Sequence, residues 1–237
     1  FIKKNYSAKH IFARDHSIFD WQHKGTSAYF CMSAKQDGKL IGTHGFIPQS
    51  HFDVSLPSNQ IFLALWIADE EEGIGIGLQC YKEIIKEFNP EFIGSLGITP
   101  RAIPFHKWQK FKVGLMEHHV VLSPTIKKFE IAIVPSKVKK KIHIKSKTTF
   151  KRIFAHELRS LETKHLYSYQ LPRKSDTYII NRFMNHPVYD YEVYAIKKGE
   201  LTMALCVLRP IKEGGSTVLR FVDFIGQSEA IVLLVDF

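Results

Sequence analysis

The 237-residue sequence has no apolar run long enough to span a lipid bilayer. Its longest apolar stretch, residues 61–68, is far shorter than the roughly 20 residues that a transmembrane helix needs. Cysteine is also scarce, since Cys31, Cys80 and Cys206 are odd in number and far apart. They form neither a disulfide framework nor the spacing of a zinc site. We therefore expect no membrane span and a reducing, cytoplasmic location.

Acidic residues are the other deficit. The chain has 33 Lys and Arg against 23 Asp and Glu, which gives a net charge of +10. This excess fits an anionic partner such as nucleic acid, an acidic surface or a phosphorylated small molecule, and equally a basic surface without a partner. The hydrophobic share of 45% and charged share of 24% are those of a globular protein, and they exclude a disordered or collagen-like chain.

The pattern of residues 1–135 predicts one α/β (α+β) domain, with a mixed central sheet flanked by helices. Asp37-Gly38 predicts a tight hairpin turn, because both central positions of a type I′ turn need a positive φ. The predicted elements are two short helices before residue 26, strands 29–34, 40–47 and 60–68, a helix 76–88, a strand 92–98, a short helix 102–110, and strands 115–122 and 129–134.

Six lysines lie in the next segment, and we interpret residues 136–148 as a basic linker. A basic arm for nucleic acid is the alternative. The rest, residues 149–237, is predicted to be a second unit, with Ser175 or Asp176 as the N-cap of one helix. Its predicted elements are helices 154–166 and 176–184, a hairpin 191–208 that turns at Lys198-Gly199 and stops at Pro210, a strand 218–224, and the start of a helix over 228–237.

The two predicted hairpins resemble each other. Residues 29–48 and 191–210 overlay without a gap, and each segment begins with Tyr, turns at a glycine and ends with Pro. This predicts a tandem duplication of one fold, with an incomplete second unit. Two unrelated hairpins are the alternative. Because the chain begins at Phe1 and stops within a predicted helix, we expect residues to be missing at both ends.

A glycine loop joins the central buried strand to the amphipathic helix. Gly73, Gly75 and Gly77 stand at alternate positions, so the backbone can approach a ligand closely. Free N–H groups and the positive end of the helix dipole would hold a pyrophosphate there. Leu78 stands where a dinucleotide loop needs glycine, and no Lys-Ser/Thr pair follows Gly77, so two other nucleotide motifs are excluded. A turn without a ligand is the alternative.

The order of elements and this loop resemble the GNAT superfamily of acyl-CoA N-acyltransferases, over about residues 25–135. The resemblance implies the GNAT fold and acetyl-CoA or another acyl-CoA as co-substrate. It also implies a pyrophosphate held by the loop and a pantetheine or thioester bonded to the backbone of Ile67. The family's loop motif, Arg/Gln-x-x-Gly-x-Gly/Ala, falls on Glu72, Gly73, Ile74, Gly75, Ile76 and Gly77. The next signature falls on Thr99, Ala102, His106, Lys110 and Phe111.

Two positions depart from the family pattern. Glu72 replaces the Arg or Gln and adds negative charge beside the pyrophosphate. His106 stands at the family's Tyr, which can protonate the leaving thiolate, so the resemblance implies His106 as the general acid. His44 is a candidate base, and Trp21 and Trp66 are candidates for shaping the acceptor pocket. For both histidines and for Trp66, a structural role is the alternative.

A tandem arrangement with one degenerate half resembles Fem-like transferases and acyltransferases of polysaccharide gene clusters. This implies acyl transfer to a small-molecule amine acceptor, an amino sugar or a cell-envelope polysaccharide precursor. The first alternative is a Fem-type transferase that uses aminoacyl-tRNA, the only hypothesis with a nucleic-acid partner. The second is a degenerate binding protein. No metal is expected, because the adjacent His118 and His119 would point to opposite faces of a strand. The sequence does not predict the oligomeric state.

Overall fold

The computed structural model describes residues 1–116, 120–123, 126, 128–134, 148–168 and 170–231. The chain forms two compact units. The first comprises Phe1–Leu115 with Leu171–Arg173, and the second comprises Met116–Gln170 and Lys174–Phe237. The first unit therefore ends before the predicted boundary at residue 135. Nearly all of the predicted linker 136–148, and His118 and His119, lie outside the described residues.

The first unit is a mixed sheet with helices, as predicted. Its strands run in the order β1-β2-β3-β4; β3 and β4 are parallel and the other neighbours antiparallel. The helices are α1 (Ile2–Asn5), α2 (Ile11–Arg14), α3 (His16–His23), α4 (Ile76–Phe88) and α5 (Ile103–Trp108). The strands are β1 (Cys31–Gln36), β2 (Lys39–Pro48), β3 (Gln60–Ala68) and β4 (Phe92–Ser95), with a 3-10 turn at Gln49–His51.

The hairpin turn and the central helix agree with the sequence prediction. Asp37 and Gly38 have φ values of 50° and 77°, as the predicted turn requires. Helix α4 has the predicted bounds and ends at Asn89, which adopts a left-handed conformation. Its buried Tyr81 and Ile84 pack on Phe46, Ile61 and Leu63 of the sheet and form the main core of this unit.

The predicted strands 115–122 and 129–134 are wrong for the residues that the structure describes, since none of these lies in a strand. Their apolar side chains do not form a buried face. Leu115 is 96% exposed and Ile133 is fully exposed. A period-2 apolar pattern predicts a strand only where a sheet face or partner strand covers it, and no described strand pairs with these segments.

The second unit contains one antiparallel sheet in the order β5-β6-β7-β8. The predicted helix 154–166 is two helices, because Leu161 is extended and ends the first one. Ser175 caps the next helix as predicted, since its side chain accepts from the Tyr178 N–H. The elements are β5 (Thr148–Ile153), α6 (Ala155–Ser160), α7 (Lys164–Tyr167), α8 (Asp176–Ile179) with a π-helical turn at Ile180–Met184, β6 (Glu192–Lys198), β7 (Leu201–Glu213) and β8 (Ser216–Gly226).

Two sequence predictions in this unit need correction. Strand β5 was not predicted, because its alternation comes directly after the lysine-rich segment. Strand β7 does not stop at Pro210 but continues to Glu213. Pairing with β6 ends at Leu208, so beyond that residue β7 has only β8 as a neighbour. Pro210, which has no backbone N–H, is therefore tolerated there. Of the predicted helix 228–237, residues 228–231 form a 3-10 turn and the rest lies outside the description.

The two sheets share the same irregularities in strand pairing. The first hairpin shifts register between Ala34 and Lys35, and the second shifts between Ile196 and Lys197. These are equivalent positions when residues 29–48 are laid over 191–210. The pairing of each hairpin with its next strand also shifts at equivalent positions, in β2 between His44 and Phe46 and in β7 between Val207 and Leu208.

Candidate active site

Strand β3 has an open edge over its second half. It pairs in parallel with β4 only from Gln60, opposite Phe92, to Leu63, opposite Ser95. Beyond Leu63 it continues along β2 as far as Ala68, with no partner among the described strands on the β4 side. The two parallel strands therefore separate, and the backbone groups of β3 on that side are available to a ligand.

A β-bulge lies where the strands separate. Strand β2 advances two residues from His44 to Phe46, while β3 advances three residues between their partners Trp66 and Leu63. The extra residue of β3 changes which side chains face helix α4. Leu63 and Trp66 both lie on the α4 face, whereas Leu65 lines a cavity on the opposite face. Bulges of this kind re-aim side chains beside active sites.

The register also determines which backbone groups face the open edge. The Asp69 N–H donates to the Ile41 C=O at 2.8 Å. Because hydrogen-bonded and non-bonded pairs alternate in an antiparallel ladder, Ile67 directs its N–H and C=O toward β2. Trp66 and Ala68 direct theirs toward the open edge. Ile67 is thus unsuited to the backbone contact inferred from sequence, and its neighbours are suited to it.

Three amides of the glycine loop are without an acceptor among the described residues. The N–H groups of Ile74, Gly75 and Gly77 form no hydrogen bond within the described part of the chain. Gly75 has φ +77° and is the N-cap of helix α4, and a Cβ there would meet nothing within 4 Å. These donors lie at the positive end of a 13-residue helix, which is a suitable place for a phosphate.

The other loop amides bond within the protein. The N–H groups of Glu71 and Glu72 donate to Asp69 Oδ1 at 3.2 and 3.3 Å. The Gly73 N–H donates to the Asp69 C=O at 3.0 Å, and the Ile76 N–H donates to the Gly73 C=O at 3.1 Å. Glu72, Gly73 and Ile76, three of the predicted binding residues, therefore shape the loop and leave the open amides to their neighbours.

Asp69 organises this loop and was not singled out in the sequence. Its side chain is buried, and Lys4 Nζ donates to its Oδ2 at 3.1 Å. The bond to Lys4, and then the bonds from the loop amides, hold the pKa of this carboxyl below its usual value. An Asp directly after a buried strand and before a glycine turn is a typical side-chain-to-backbone turn, and this would have been the sequence indication.

Glu72 does not project an unbalanced charge. Lys39 Nζ, from the hairpin turn, lies 2.8 Å from both carboxylate oxygens of Glu72. Both side chains are about half exposed, so the pair contributes little to stability. It does neutralise the acidic side chain at the loop, which lessens the repulsion of a phosphate that the sequence suggested.

His44 lies in the core beneath helix α4. Its ring stacks on Trp66 with centroids 4.9 Å apart, and its exposed fraction is 1%. Its Nδ1 has no hydrogen-bond partner among the residues that the structure describes. Burial, with a smaller effect from His106, lowers the pKa of His44 to about 4. A neutral, enclosed imidazole with so low a pKa is a poor general base, so the geometry does not favour the catalytic role considered for it.

His106 lies on α5 at the same aromatic cluster. Its ring centroid is 6.3 Å from that of Trp66 and 5.3 Å from those of Phe105 and Phe111. Only 4% of the residue is exposed, and burial lowers its pKa. The ring is therefore mainly neutral at pH 7 and contains both an N–H donor and a proton acceptor. This suits proton relay or a base better than the predicted acid.

A cavity of about 620 Å³ lies on the opposite face of the sheet, beneath the first three helices. The hydroxyls of Ser33 and Thr43 bond each other at 3.0 Å in its wall. Burial raises the pKa of the Cys31 thiol to about 11, so this thiol stays protonated. The apolar lining includes Phe1, Ile2, Phe12, Phe19, Leu40 and Leu65.

Neither tryptophan singled out in the sequence lines this cavity. Trp66 lies on the α4 face, where a Cβ at Gly77 would collide with its indole nitrogen. Trp21 packs on Phe52 with ring centroids 4.9 Å apart, and its C=O accepts from His51 Nε2 at 2.8 Å. Trp66 therefore fixes the start of helix α4 against β3, which is the packing alternative considered for it.

Among the described residues, no group of three His, Cys, Asp or Glu side chains could hold a metal ion. No helix in the described ranges is long and apolar enough to cross a membrane. Cys31, Cys80 and Cys206 are free thiols.

In the first unit, a parallel strand pair that opens at a bulge thus lies next to a glycine loop that begins a helix. Residues 2–111 match the model of the acetyltransferase (GNAT) family, which indicates an N-acetyltransferase enzyme. The matched region contains β1–β4, helices α1–α5 and the glycine loop. None of the curated proteins matches the chain.

Proposed function

We propose that the first unit transfers an acyl group, most simply acetyl, from acyl-CoA to the amine of a small molecule. The observation that carries this proposal is the open edge of β3 next to the free amides of the glycine loop. The edge offers backbone partners for an extended pantetheine, and the loop offers donors for its pyrophosphate. The family match is consistent with both.

In this proposal the loop amides of Ile74, Gly75 and Gly77 bind the pyrophosphate. Trp66 and Ala68, in place of Ile67, bond the pantetheine and the thioester through their backbone. Because β3 and β4 separate after Leu63, the thioester can enter between the strands. Backbone N–H groups at such a position stabilise the oxyanion that develops when the thioester carbonyl is attacked.

Acyl transfer would proceed by direct attack. The amine nitrogen forms a bond to the thioester carbonyl carbon, the C–S bond breaks, and CoA leaves as a thiolate. We propose that neutral His106 accepts the proton lost by the amine and passes it to the thiolate, so no net proton is gained or lost. The lowered pKa of His106 suits a relay, because the ring must be neutral when the amine attacks.

The acceptor is proposed to reach the thioester from the face of the sheet on which His106 lies, since the cavity beneath the first three helices is on the opposite face. An amino sugar or a cell-envelope polysaccharide precursor is the acceptor that the sequence suggests, and its apolar face would pack on the aromatic side chains there. A cytoplasmic location is part of the proposal, because acyl-CoA is used there.

Two measurements test this function. Acetyl-CoA should raise the melting temperature of the full chain, and incubation with amine panels that include glucosamine should release free CoA. No thermal shift at millimolar acetyl-CoA would reject the proposal. A thermal shift without transfer to any amine would favour the alternative of a degenerate binding protein with the same fold.

Aminoacyl-tRNA is the alternative donor, and the net charge of +10 favours it. It predicts tRNA binding that weakens steeply with salt, because each neutralised phosphate releases a counterion. Neutralising the lysines of residues 137–147 should then abolish tRNA binding while leaving acetyl-CoA without effect on the melting temperature.

A further inference from the structure

Two arginines of the second unit approach the same aromatic side chains. Arg182 lies on the π-helical turn and Arg209 lies on β7. The positive charges of both act on His186 and on Tyr191. The Arg209 guanidinium lies 3.6 Å from the centroid of the Tyr189 ring, a close cation–π contact. Short π-helical segments are frequent at functional sites.

A third arginine faces the same side of the sheet. Arg220 on β8 is the direct cross-strand partner of Arg209, so both side chains project from one face. Like charges at directly opposite positions are unfavourable in a sheet. In the described part of the chain, neither Arg209 nor Arg220 forms an ion pair with a carboxylate.

Nearby acidic residues bond elsewhere. Asp223 lies 2.6 Å from Lys174 Nζ, and Glu192 lies 2.8 Å from Arg152. Burial, and then the charges of Arg182 and Arg209, lower the pKa of His186 to about 4. Among the described residues, these two carboxylates therefore do not pair with Arg209 or Arg220.

We propose that Arg209 and Arg220 bind the phosphoryl group of a phosphorylated small molecule on the second unit. The planar guanidinium matches phosphate oxygens in a bidentate way, and two adjacent cations favour a dianion over a carboxylate. Stacking on Tyr189 holds the Arg209 guanidinium in place before the ligand binds. The Tyr191 hydroxyl, whose pKa burial raises, stays protonated and can donate a further hydrogen bond.

Calorimetric titration of the full chain with inorganic pyrophosphate at low ionic strength tests this site. Arg209→Gln should weaken binding by about tenfold or more, as expected for a lost charge-assisted hydrogen bond. Arg220→Gln should weaken it less, because that side chain is exposed. The affinity of Arg209→Lys should lie between those of the unaltered chain and Arg209→Gln, because lysine retains the charge but lacks the planar guanidinium. The matched control is Arg159→Gln on α6, which removes the same charge elsewhere in the unit.

The outcomes separate this site from other anion sites. Equal weakening by Arg209→Gln and Arg159→Gln, or no binding by the unaltered chain, would overturn the proposal. If pyrophosphate binds only at the glycine loop, Arg209→Gln will leave its affinity unchanged, and this result also overturns the proposal. Affinity that grows with the length of single-stranded DNA and falls equally in all variants would indicate a nucleic-acid surface instead. If Arg209→Gln does not fold, the exposed Arg220→Gln variant decides the matter alone.

Discussion

The two sheets share a hairpin and a bulge but lead into different segments. In the first unit, β3 leads into the glycine loop and a 13-residue helix. In the second unit, β8 ends at Gly226 and leads into a single 3-10 turn over residues 228–231. Relative to the bulge, Trp66 and Phe224 are equivalent, as are His44 and Cys206. The bulged sheet is thus a scaffold, and the loop supplies the candidate chemistry.

The core beneath the bulge shows the same division. In the first unit it contains a polar ring, His44, stacked on Trp66. In the second unit the equivalent Cys206 packs among apolar residues, and burial raises the pKa of its thiol to about 12. Buried polar groups without partners are costly, so they are informative where they occur. The first unit therefore carries a buried polar ring beneath its bulge, whereas the second unit has a thiol at the equivalent position.

The largest expected effect is on turnover. His106→Gln should lower kcat about 100-fold or more, the usual contribution of a proton-transfer group, with little change in acetyl-CoA affinity. Steady-state kinetics and calorimetry on the same preparation measure the two. The control is His165→Gln in the second unit, which should leave kcat unchanged. An unaltered kcat in His106→Gln would remove His106 from the mechanism.

The next effect is on acetyl-CoA binding. Gly75→Asp adds a charge at a position with open space and positive φ, next to the proposed pyrophosphate. Gly75→Asn has the same shape without the charge, and both residues tolerate a left-handed backbone. We expect the Asp variant to bind acetyl-CoA roughly tenfold to 100-fold more weakly than the Asn variant, through charge repulsion. Equal affinities would place the pyrophosphate elsewhere.

The acid stability of the first unit should depend on His44. The pKa of His44 is about 4 in the folded chain, whereas the ordinary value for histidine is 6.5. Between these values only the unfolded chain takes up the proton. The contribution of His44 to the free energy of unfolding is therefore fully present above pH 6.5 and is lost as pH falls toward 4. The loss is at most about 3 kcal/mol. His44→Phe keeps a ring on Trp66 and should shift acid unfolding to lower pH.

Tryptophan fluorescence measures this effect in the first unit alone, because Trp21, Trp66 and Trp108 all lie there. Tryptophan fluorescence therefore excludes the acid unfolding of the second unit, where the pKa of His186 is also about 4. His16→Phe, at an exposed position, is the matched control. The same midpoint of acid unfolding in His44→Phe and in the unaltered chain would contradict the role assigned to the buried ring.

The smallest expected effect concerns the acidic residue of the loop. Glu72→Gln should tighten acetyl-CoA binding by about threefold, because the charge it removes is already paired with Lys39 and screened by solvent. Glu83→Gln, on the exposed side of α4, should change nothing. A gain of 100-fold would mean that the Lys39 pair does not form in solution.

Sequence patterns predicted those elements whose cause is local. The Asp37-Gly38 turn, the continuous apolar run 60–68 and the apolar stripe of α4 predicted β1–β3 and their helix, and the helix start at Ile76 was correctly placed. The prediction of strands after residue 115 is wrong for the described residues, because a strand depends on a covering partner that a local pattern does not reveal.

The candidate site was predictable in part for the same reason. The loop glycines were visible in the sequence, but the bulge that turns Trp66 and Ala68 toward the open edge is a property of strand pairing. The hydrogen bond between Lys4 and Asp69, which closes one end of the loop, joins residues that are 65 positions apart in the sequence. The Arg209 and Arg220 pair likewise exists only in the register of β7 and β8.

The most direct test of the difference between the two units is the stoichiometry of acetyl-CoA binding to the full chain, measured by titration calorimetry. One molecule should bind per chain, and Gly75→Asp should weaken that single site. Two sites per chain, or binding that Gly75→Asp leaves unchanged, would contradict the assignment of the acyl-CoA site to the glycine loop of the first unit.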